Sequence, residues 1–376
     1  MHKIAISANS SWYIFNFRQN TIRELLRCGY EVIVIAPLDN YSKRLIELGC
    51  SFIQINIEQK GKNPFKDLIT IYQFWKIYKG SHIDVVLNFT PKNNIYSTIS
   101  AYASGTKAIN NIAGLGVVFI KKNLLSYIVR FLYKISQNKA SILFFQNEDD
   151  QKIFSDYKIA RNVSHYRLPG SGVDLSRFHV VNAKDDGVVR FLLVARMLYE
   201  KGIEHFVEAA RILKKKYGDK VELNLLGFID ENNPSSVSNS QMLEWVKEGV
   251  INYLGVSDCV ENQIALADCV VLPSYYREGV PRSLLEAGAM GKPIVTSDNV
   301  GCRDCVVDSI NGFLCQPQST ESLVAMMELM CMMGYEGRIE MGRKSRQKIE
   351  DEFDENIVIK RYITAINNCI NSSSIN

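Results

Sequence analysis

Long apolar runs, disulfide-type cysteine spacing and metal-binding carboxylate motifs are all missing from this sequence, and each absence excludes a class of protein. No segment approaches the roughly twenty consecutive apolar residues of a transmembrane helix. The apolar run at residues 4–8 is too short for a signal peptide, and polar residues follow it directly. We therefore expect a cytoplasmic protein that is at most peripheral on the inner face of the cell membrane.

The cysteines and acidic residues do not form a recognisable metal site. The nine cysteines are odd in number and scattered, which favours a reducing compartment. Cys302 and Cys305 form a lone Cys-x-x-Cys without the second pair that a zinc site needs, so we interpret them as packing thiols. No Asp-x-Asp motif occurs, so a carboxylate-bound catalytic metal has no evident ligands. We expect neither a metal nor another cofactor.

The composition is that of a well-packed globular protein, with an uneven distribution of charge. At 376 residues and 47% hydrophobic content, two domains are expected. Residues 1–170 carry 22 Lys plus Arg and 11 Asp plus Glu, so 22 − 11 gives +11, whereas residues 171–376 give 22 − 29, or −7. The basic first half suggests an anionic partner: a membrane surface, a phosphorylated acceptor or nucleic acid.

Short apolar runs of strand length alternate with helical patterns along most of the chain. This alternation is typical of βαβ units and predicts doubly wound parallel sheets, and the Pro- and Gly-containing segment 168–178 predicts a linker between two domains. The predicted strands are residues 3–7, 31–36, 52–56, 84–88, 107–112 and 142–146, then 188–195, 221–227, 250–255, 269–272 and 294–297.

The segment 273–301, PSYYREGVPRSLLEAGAMGKPIVTSDNVG, combines a strand end, a loop, a helix over 283–290 and a second strand. In such a unit, ligands bind at the carboxyl end of the strands, where a helix N-terminus attracts anions. Glu278 lies in the loop, and Glu286 lies about two helical turns further on, so the two carboxylates can bracket one ligand. The alternative is a solvated loop charge and an ordinary helix-forming residue.

This segment resembles the signature of the GT4 family, which are retaining nucleotide-sugar glycosyltransferases. The resemblance implies the GT-B fold, an α/β fold with two doubly wound Rossmann-like domains and a cleft between them. Residues 1–168 are then the acceptor- and membrane-facing domain, and residues 169–350 the nucleotide-sugar-binding domain. Residues 351–376 are expected to form a C-terminal helix that crosses back to the first domain, with a frayed tail.

The resemblance also implies roles for individual residues at the donor site. Glu278 would contact the donor sugar, the backbone of Gly279 and Val280, just before Pro281, would face the diphosphate, and Glu286 would hold the ribose hydroxyls. Arg196 and Lys201 match the family's Arg–x4–Lys–Gly clamp, in which two cations stabilise the leaving diphosphate as a metal ion otherwise would. The alternative is that these two charges at a strand end are simply solvated. The glycine-containing strand ends near Gly227 and Leu254 are where a base would lie.

Two short segments of the first half are candidates for binding the acceptor. Small polar residues follow the first strand and precede a helix predicted over 21–27, and we expect acceptor contacts from Tyr13, Asn16 and Arg18; plain helix capping is the alternative. Gly114 and Gly116 follow a strand and predict either close backbone approach to a ligand or a tight turn. They do not form Gly-x-Gly-x-x-Gly, which disfavours nicotinamide binding.

Two basic, aromatic-rich stretches, 60–80 and 121–139, fall in the first half. The second carries five basic and no acidic residues, and its apolar residues recur at helical spacing. This pattern predicts a helix in an anionic membrane interface, with Tyr127, Phe131 and Tyr133 near the headgroups; a helix packed on the sheet with a solvated basic rim is the alternative. The apolar face is Leu124, Leu125, Ile128, Leu132 and Ile135, and the basic flanks are Lys121, Lys122, Arg130, Lys134 and Lys139.

Within the family, the chain is similar to bacterial enzymes that extend undecaprenyl-diphosphate-linked saccharides for O-antigen, capsule or protein glycans. The resemblance implies transfer of a hexose or N-acetylhexosamine, N-acetylgalactosamine in α linkage being favoured, from a UDP-sugar donor. A sugar-nucleotide epimerase shares this fold, but the paired glutamates disfavour it. A non-enzymatic protein that binds nucleic acid or another anionic polymer is the other alternative, and no module for it is recognisable.

Overall fold

The computed structural model describes residues 1–58, 63–115, 119 and 123–373, which divide into two compact units. Unit 1 comprises Met1–Ser171 and Asn356–Asn376, and unit 2 comprises Gly172–Glu355. Within the described residues, each unit contains one parallel sheet with helices on both faces, as the alternating sequence pattern predicts.

The sheet of unit 1 has seven strands among the described residues, in the order β3-β2-β1-β4-β5-β6-β7. Its central strands are buried on both faces, which explains their near-continuous apolar runs. The sequence did not predict β7 because it is a polar edge strand, Ser-His-Tyr-Arg, exposed at three of its positions. The strands are β1 (Lys3–Ser7), β2 (Glu31–Ala36), β3 (Ser51–Gln54), β4 (Val85–Asn88), β5 (Lys107–Ile112), β6 (Ile142–Phe145) and β7 (Ser164–Arg167).

The sheet of unit 2 has six strands in the part of the chain that the structure describes, in the order β10-β9-β8-β11-β12-β13. The predicted strand over 250–255 is shorter in the structure, where only two residues pair with β9. The short strand β13 was also missed by the sequence pattern. The strands are β8 (Val189–Val194), β9 (Val221–Leu226), β10 (Asn252–Tyr253), β11 (Cys269–Leu272), β12 (Ile294–Ser297) and β13 (Gly312–Cys315).

Helices connect successive strands in both units and follow their capping signals. Asn63, Asn123 and Asn147 each accept a backbone N–H at the start of a helix. In unit 1 these helices are α1 (Ser11–Arg27), α2 (Ser42–Glu47), α3 (Pro64–Ser81), α4 (Pro91–Ser104), α5 (Leu124–Gln137) and α6 (Glu148–Asp156). In unit 2 they are α7 (Ile203–Tyr217), α8 (Asn239–Lys247), α9 (Val260–Leu266), α10 (Arg282–Ala289), α11 (Thr320–Met332) and α12 (Gly334–Glu352). The last helix, α13, spans Glu355–Ser373.

The first helix begins ten residues before the predicted start at residue 21, so that prediction was wrong. Ser10 is the N-cap, and its side-chain oxygen accepts a hydrogen bond from Tyr13 N at 3.2 Å. Ile14, Ile22 and Leu25 then bury one face of α1 against the sheet. The polar residues after β1 therefore start a helix rather than forming a longer loop.

The helices of unit 1 form a layer on each face of its sheet. The first layer contains α1, α2 and α13, and the second contains α3, α4, α5 and α6. The change of face occurs because the chain reverses its direction across the sheet between β3 and β4, and parallel crossovers keep one hand. No helix within the described ranges combines the length and the apolar content that crossing a bilayer requires.

The chain leaves unit 1 once and returns to it once, and the two passages lie side by side within unit 2. Val173 N donates to Phe353 O at 3.0 Å, and Glu355 N donates to Val173 O at 3.1 Å. Gly172 has a φ of +72°, and an added Cβ would overlap with Glu355, so this passage requires glycine. From Asn356 onward, α13 packs against the sheet of unit 1, where Tyr362 Oη donates to Asn111 Oδ1 at 2.6 Å.

Candidate functional site

Three neighbouring strands of unit 2 bring their carboxyl ends to one edge of the sheet. β8 lies between β9 and β11, and all three run parallel. The residues that follow them are therefore neighbours in space although they are far apart in sequence. Arg196 follows β8 and is exposed, Gly227 follows β9, and the loop containing Glu278 follows β11.

Lys201 and Glu278 meet at this edge. The Lys201 ammonium group forms an ion pair with the Glu278 carboxylate, and the two side chains are only 12% and 13% exposed. Ser274 Oγ donates to Glu278 Oε1 at 3.0 Å, and the Lys201 Nζ lies 5.6 Å from the centroid of the Tyr276 ring. The structure thus brings together two of the predicted site residues, at a place screened from much of the solvent.

The turn that carries Lys201 is tied to the loop that carries Glu278. The carbonyl oxygen of Glu200 accepts hydrogen bonds from Tyr275 N at 3.0 Å, from Tyr276 N at 3.1 Å and from Ser274 Oγ at 3.2 Å. Gly202 follows with a φ of +78°, and a Cβ there would overlap with the Pro273 carbonyl. The glycine of the Arg–x4–Lys–Gly pattern is therefore explained by close packing of one loop on the other.

The loop of Glu278 is supported from its other side by the residues after β12. Asn299 Nδ2 donates to Tyr276 O at 2.8 Å and to Ser274 O at 3.3 Å. Gly301 has a φ of +80°, and an added Cβ would overlap with the Gly279 carbonyl. Sequence reasoning did not identify Asn299 as a residue that positions the loop, although its place directly after a buried strand was a usable signal.

The first turn of α10 faces the same loop. Its N-cap residue is Pro281, whose side chain has no oxygen to cap the helix, and Val280 before it is buried. The N–H groups of a first helical turn point out of the helix toward the preceding residues and attract anions. The predicted diphosphate-facing backbone at Gly279 and Val280 therefore lies next to a helix N-terminus.

Glu286 is a buried carboxylate, 8% exposed, on α10. Arg282, one turn earlier, donates from Nε to Glu286 Oε1 at 2.8 Å. Burial raises the pKa of Glu286 above its ordinary value, and the Arg282 and Arg177 guanidinium groups oppose that rise. Arg177 in turn forms a two-point ion pair with Glu261, with N–O distances of 3.2 and 2.8 Å. Glu286 is thus a desolvated acceptor whose ionisation depends on nearby arginines.

The ends of β9 and β10 form a neighbouring patch of backbone. Gly227 N donates to Gly255 O at 2.8 Å, and Tyr253 Oη donates to Gly227 O at 2.7 Å. Gly227 has a φ of +148°, and a Cβ there would overlap with the Ala195 carbonyl. Leu254 lies exposed beside this patch, at the position predicted to lie against a base.

The predicted acceptor residues of unit 1 have different environments. The Arg18 side chain is 1% exposed; it donates to Tyr13 Oη at 3.2 Å, and its guanidinium carbon lies 4.3 Å from the centroid of the Phe89 ring. Asn16 is partly exposed and donates from Nδ2 to Trp12 O at 2.9 Å. Gly114 follows β5 with a φ of 110°, and Gly116 lies outside the described residues. An acceptor role for these residues stays a prediction, and Arg18 has the least surface to offer.

The predicted membrane helix, α5, has an exposed apolar stripe, but three of its residues are not where the sequence put them. Leu132 was expected on the membrane-facing apolar face, yet it is partly buried and packs against the core of unit 1. Arg130 was expected on the basic rim, yet it is buried, donating to Tyr157 Oη at 2.7 Å and to Ser126 O at 3.1 Å. Tyr133 was expected near the headgroups and is buried against the sheet. Lys134 is exposed as predicted. Lys121, Lys122 and the Leu125 side chain lie outside the described residues. The exposed stripe is Leu124, Tyr127, Ile128, Phe131 and Ile135.

The two cysteines of the Cys-x-x-Cys pair are packed in the core of unit 2. Cys302 and Cys305 are fully buried, and burial raises the pKa of the Cys302 thiol to about 12. Thiols in such surroundings stay protonated and inert. Among the residues that the structure describes, no group of three His, Cys, Asp or Glu side chains is arranged to hold a metal ion.

Two family matches identify the class of protein that has this fold and carries this pair of a lysine and a glutamate after β8 and β11: it is a glycosyltransferase. Residues 176–348 match the family model described as glycosyl transferases group 1, and residues 3–147 match the one described as glycosyl transferase 4-like. The chain belongs to this family, the GT4 glycosyltransferases of GT-B fold, which use nucleotide-sugar donors.

Individual relatives agree with this assignment. A Campylobacter jejuni N,N'-diacetylbacillosaminyl-diphospho-undecaprenol alpha-1,3-N-acetylgalactosaminyltransferase is 29% identical, covering 96% of this chain and 97% of its own length. An Escherichia coli UDP-Gal:alpha-D-GlcNAc-diphosphoundecaprenol alpha-1,3-galactosyltransferase is 22% identical over 69% of each chain. Among solved structures, Anabaena HepE in complex with UDP has a TM-score of 0.77 at 14% identity, covering 98% of this chain and all of its own.

Proposed function

We propose that this glycosyltransferase moves N-acetylgalactosamine from a UDP-sugar to an undecaprenyl-diphosphate-linked saccharide, with retention of the α configuration, in the synthesis of a bacterial surface or protein glycan. The Campylobacter jejuni relative, which matches nearly the whole chain, carries this activity in its name. The Escherichia coli relative also acts on a diphosphoundecaprenol-linked sugar. Their shared acceptor class supports a lipid-linked acceptor more strongly than any one donor sugar.

The Lys201–Glu278 pair is the observation that carries the proposed donor site. Lys201 and Arg196 bind the diphosphate, and their positive charge stabilises the leaving nucleotide without a metal. Glu278 positions the donor sugar, Glu286 accepts from the ribose hydroxyls, and the backbone near Gly227 and Leu254 holds the base. Because catalysis requires that charge be stabilised where it develops, the two cations act on the oxygen that leaves the sugar.

The transfer is balanced in bonds and protons. The bond between the sugar C1 and the diphosphate oxygen breaks, and the electron pair stays with the UDP. An acceptor hydroxyl forms the new bond to C1 on the same face of the sugar, and its proton passes to a diphosphate oxygen of the departing UDP. The nucleotide thus serves as leaving group and as base, and Glu278 orients the sugar during the exchange.

The lipid tail of such an acceptor requires the enzyme to work at a bilayer, since each exposed CH₂ costs roughly 0.8 kcal/mol. We assign this contact to α5, whose exposed apolar residues Leu124, Ile128 and Phe131 lie on the side away from the sheet. Lys134 flanks the stripe, and each basic residue near an anionic surface contributes about 1 kcal/mol. The acceptor saccharide would be met by Tyr13 and Asn16, with Arg18 holding Tyr13 through its hydrogen bond to Tyr13 Oη, and by Gly114 and Gly116 as the sequence predicts.

A screen of radiolabelled UDP-sugars tests the proposal. The purified protein is incubated with a short-chain polyprenyl-diphosphate saccharide and, separately, with labelled UDP-N-acetylgalactosamine, UDP-N-acetylglucosamine, UDP-galactose and UDP-glucose. We expect label in the lipid product from the first donor. Transfer from a different donor would change the sugar assigned here. One hydroxyl orientation separates N-acetylgalactosamine from N-acetylglucosamine, and galactose from glucose. Conversion of the UDP-sugar without acceptor identifies an epimerase instead.

A further inference from the structure

The outer face of α3 carries an apolar stripe that no part of the described chain covers. Phe65, Leu68, Ile69 and Tyr72 are exposed by 76%, 61%, 56% and 60%. Their spacing of three, four and seven residues places them on one side of the helix. The opposite side carries Phe74 and Tyr78, which are buried against the sheet. Four large exposed side chains in one continuous row mark a surface for an apolar partner.

The stripe of α3 and the stripe of α5 belong to the same surface. Helices α3, α4 and α5 lie on one face of the unit 1 sheet, and α4 packs between the other two. Each stripe is opposite its own helix's buried residues, so both point away from the sheet. With helix spacings of 8–10 Å, the two apolar ridges are roughly 16–20 Å apart.

The charges on this surface suit an anionic partner. Helices α3, α4 and α5 together contain one carboxylate, Asp67, and Lys92 Nζ lies 2.7 Å from it. The exposed cations Lys76 and Lys79 continue the stripe of α3 at its C-terminal end, and Lys79 Nζ lies 5.2 Å from the centroid of the Trp75 ring. The next helix along the face, α6, begins with three acidic residues and bounds the surface.

We propose that α3 is a second membrane-contact helix, and that an anionic lipid bilayer covers Phe65, Leu68, Ile69 and Tyr72. Aromatic and aliphatic side chains between lysines are the composition of helices that lie in a membrane interface. The inference rests on the proposed lipid-linked acceptor, and it adds a contact that the acceptor does not require. A second copy of the chain is the alternative occupant, which the experiments distinguish.

Contact through the apolar stripes of both α3 and α5 would fix how unit 1 is oriented on the bilayer. A single interfacial helix leaves the protein free to roll about the helix axis, whereas two ridges fix the orientation of unit 1 on the bilayer. Both helices run opposite to the strands that precede them, so their N-terminal ends lie at the carboxyl edge of the sheet. The bilayer-bound diphosphate of a lipid acceptor is thereby presented at the edge where Tyr13 and Asn16 follow β1.

Tryptophan fluorescence tests the contact directly. The chain has three tryptophans, and Trp75 lies on α3 with its ring centroid 5.9 Å from that of Tyr72. In the W12F/W245F variant, we expect phosphatidylglycerol vesicles with brominated acyl chains to quench Trp75. The W12F/W75F variant, which keeps only Trp245, buried in unit 2, is the matched control and should not be quenched. Equal fluorescence of Trp75 with brominated and plain vesicles would overturn the proposal.

A substitution series separates this inference from the proposed function. F65S/L68S/Y72S should weaken binding to phosphatidylglycerol vesicles by roughly tenfold or more, since each serine removes a large inserted side chain. I46S/L243S/L266S, which removes three comparably exposed side chains elsewhere, should bind as the wild type does. Both variants should keep wild-type circular dichroism and transfer to a water-soluble acceptor analogue.

The outcomes have distinct meanings. Vesicle binding unchanged in F65S/L68S/Y72S, with lipid transfer intact, rejects α3 as a membrane contact and leaves the proposed function standing. A change from dimer to monomer in analytical ultracentrifugation, with vesicle binding unchanged, assigns the stripe to a second copy and also rejects the inference. Absence of transfer to any acceptor by the wild-type protein rejects the proposed function, while quenching of Trp75 would still support the membrane contact.

Discussion

The Lys201 ammonium group is paired with the Glu278 carboxylate, although the two residues belong to different loops and are assigned to different parts of the donor. Both side chains are mostly buried, so each would be costly to leave without the other's charge. In the proposed donor complex, a diphosphate would replace Glu278 as the partner of Lys201, and a sugar hydroxyl would replace Lys201 as the partner of Glu278. Each of the two side chains would then exchange its present partner for a group of the donor.

Replacing Lys201 should impair both chemistry and stability. Lys201→Ala removes the charge on the leaving group, and loss of a charge-assisted contact costs roughly 1.5–3 kcal/mol, so turnover should fall to about a tenth or less. It also leaves Glu278 in a buried place without its ion-pair partner, so the free energy of unfolding should fall. Turnover at saturating donor and urea denaturation measure the two effects. Retention of more than about a tenth of wild-type turnover would contradict the assigned role.

Glu278→Gln should affect turnover more than donor affinity. The amide keeps the shape and hydrogen-bonding capacity of the side chain but loses its charge, so the bound sugar is held while the transition state is less well stabilised. UDP-sugar affinity by calorimetry and turnover with a lipid acceptor separate the two. The wild-type product, analysed by NMR, should carry an α linkage. A β-linked product would falsify the retaining mechanism.

Glu286 should make nucleotide binding dependent on pH. Burial raises its pKa above the ordinary 4.5, so it becomes protonated at a higher pH than an exposed glutamate does. A protonated carboxyl has lost acceptor capacity, and UDP affinity should fall as the pH falls through this raised pKa. The free energy of unfolding should change in the opposite direction to UDP affinity. The folded state binds the Glu286 proton more readily than the unfolded state does, so this group makes the fold more stable as the pH falls.

Two variants isolate this effect. Glu286→Gln should remove the pH dependence that belongs to this group and weaken UDP binding at neutral pH. Arg282→Gln removes the guanidinium that opposes the rise in pKa, so the midpoint of UDP binding should shift to higher pH. Calorimetric titrations from the ordinary carboxyl pKa of 4.5 up to neutral pH are the measurement. An identical pH profile in wild type and Glu286→Gln would exclude Glu286 as the titrating group.

EDTA should leave the transfer reaction unaffected. The sequence has no Asp-x-Asp, and in the proposed donor site Arg196 and Lys201 would supply the positive charge for the leaving diphosphate. The assay compares initial rates with excess EDTA and with added Mg²⁺ or Mn²⁺. Complete loss of activity in EDTA that metal restores would show that the two cations are insufficient.

The α5 contact should be lost in F131S/K134E. This variant removes an inserted aromatic ring and reverses a flanking charge, and we expect roughly tenfold or weaker binding to anionic vesicles, with UDP binding unchanged. The matched control is I46S/K360E, which makes the same kinds of change on the opposite face of unit 1. Arg130 is not substituted, because its hydrogen bonds to Tyr157 and Ser126 are internal. If neither this variant nor high salt changes the flotation of the protein with anionic vesicles, α5 is an ordinary helix packed on the sheet and not a membrane contact.

Apolar periodicity was sufficient to predict most strands, because a strand buried on both faces of a parallel sheet leaves a continuous apolar run. It failed at β7, an edge strand with polar residues, and at the start of α1, where small polar residues form a cap and a first turn. Spacing placed Glu278 and Lys201 in loops at strand ends. It did not predict their ion pair, since that contact joins two loops 77 residues apart.

The failures in α5 have a different cause. Helical spacing predicts the side of a helix on which a residue's Cβ lies, but a long side chain such as that of Arg130 can bend back to a partner outside its own helix. Tyr157, its partner, follows α6 and could not be identified from the pattern of α5. The direction of a charged side chain is thus decided by its tertiary neighbours. A basic rim predicted from sequence alone therefore contains more exposed charged residues than the structure does.

The return of α13 to unit 1 sets the order in which the protein can be completed on the ribosome. Chains emerge from the N-terminus, and domains generally fold as they are made. Unit 1, however, receives Val358, Tyr362 and Ile366 for its core only after all of unit 2 has been synthesised. Until then the sheet of unit 1 exposes the apolar surface around Phe89 and Phe144 that Tyr362 covers. Unit 1 therefore cannot complete its core until α13 has been synthesised, whereas every residue of unit 2 has been made by Glu355.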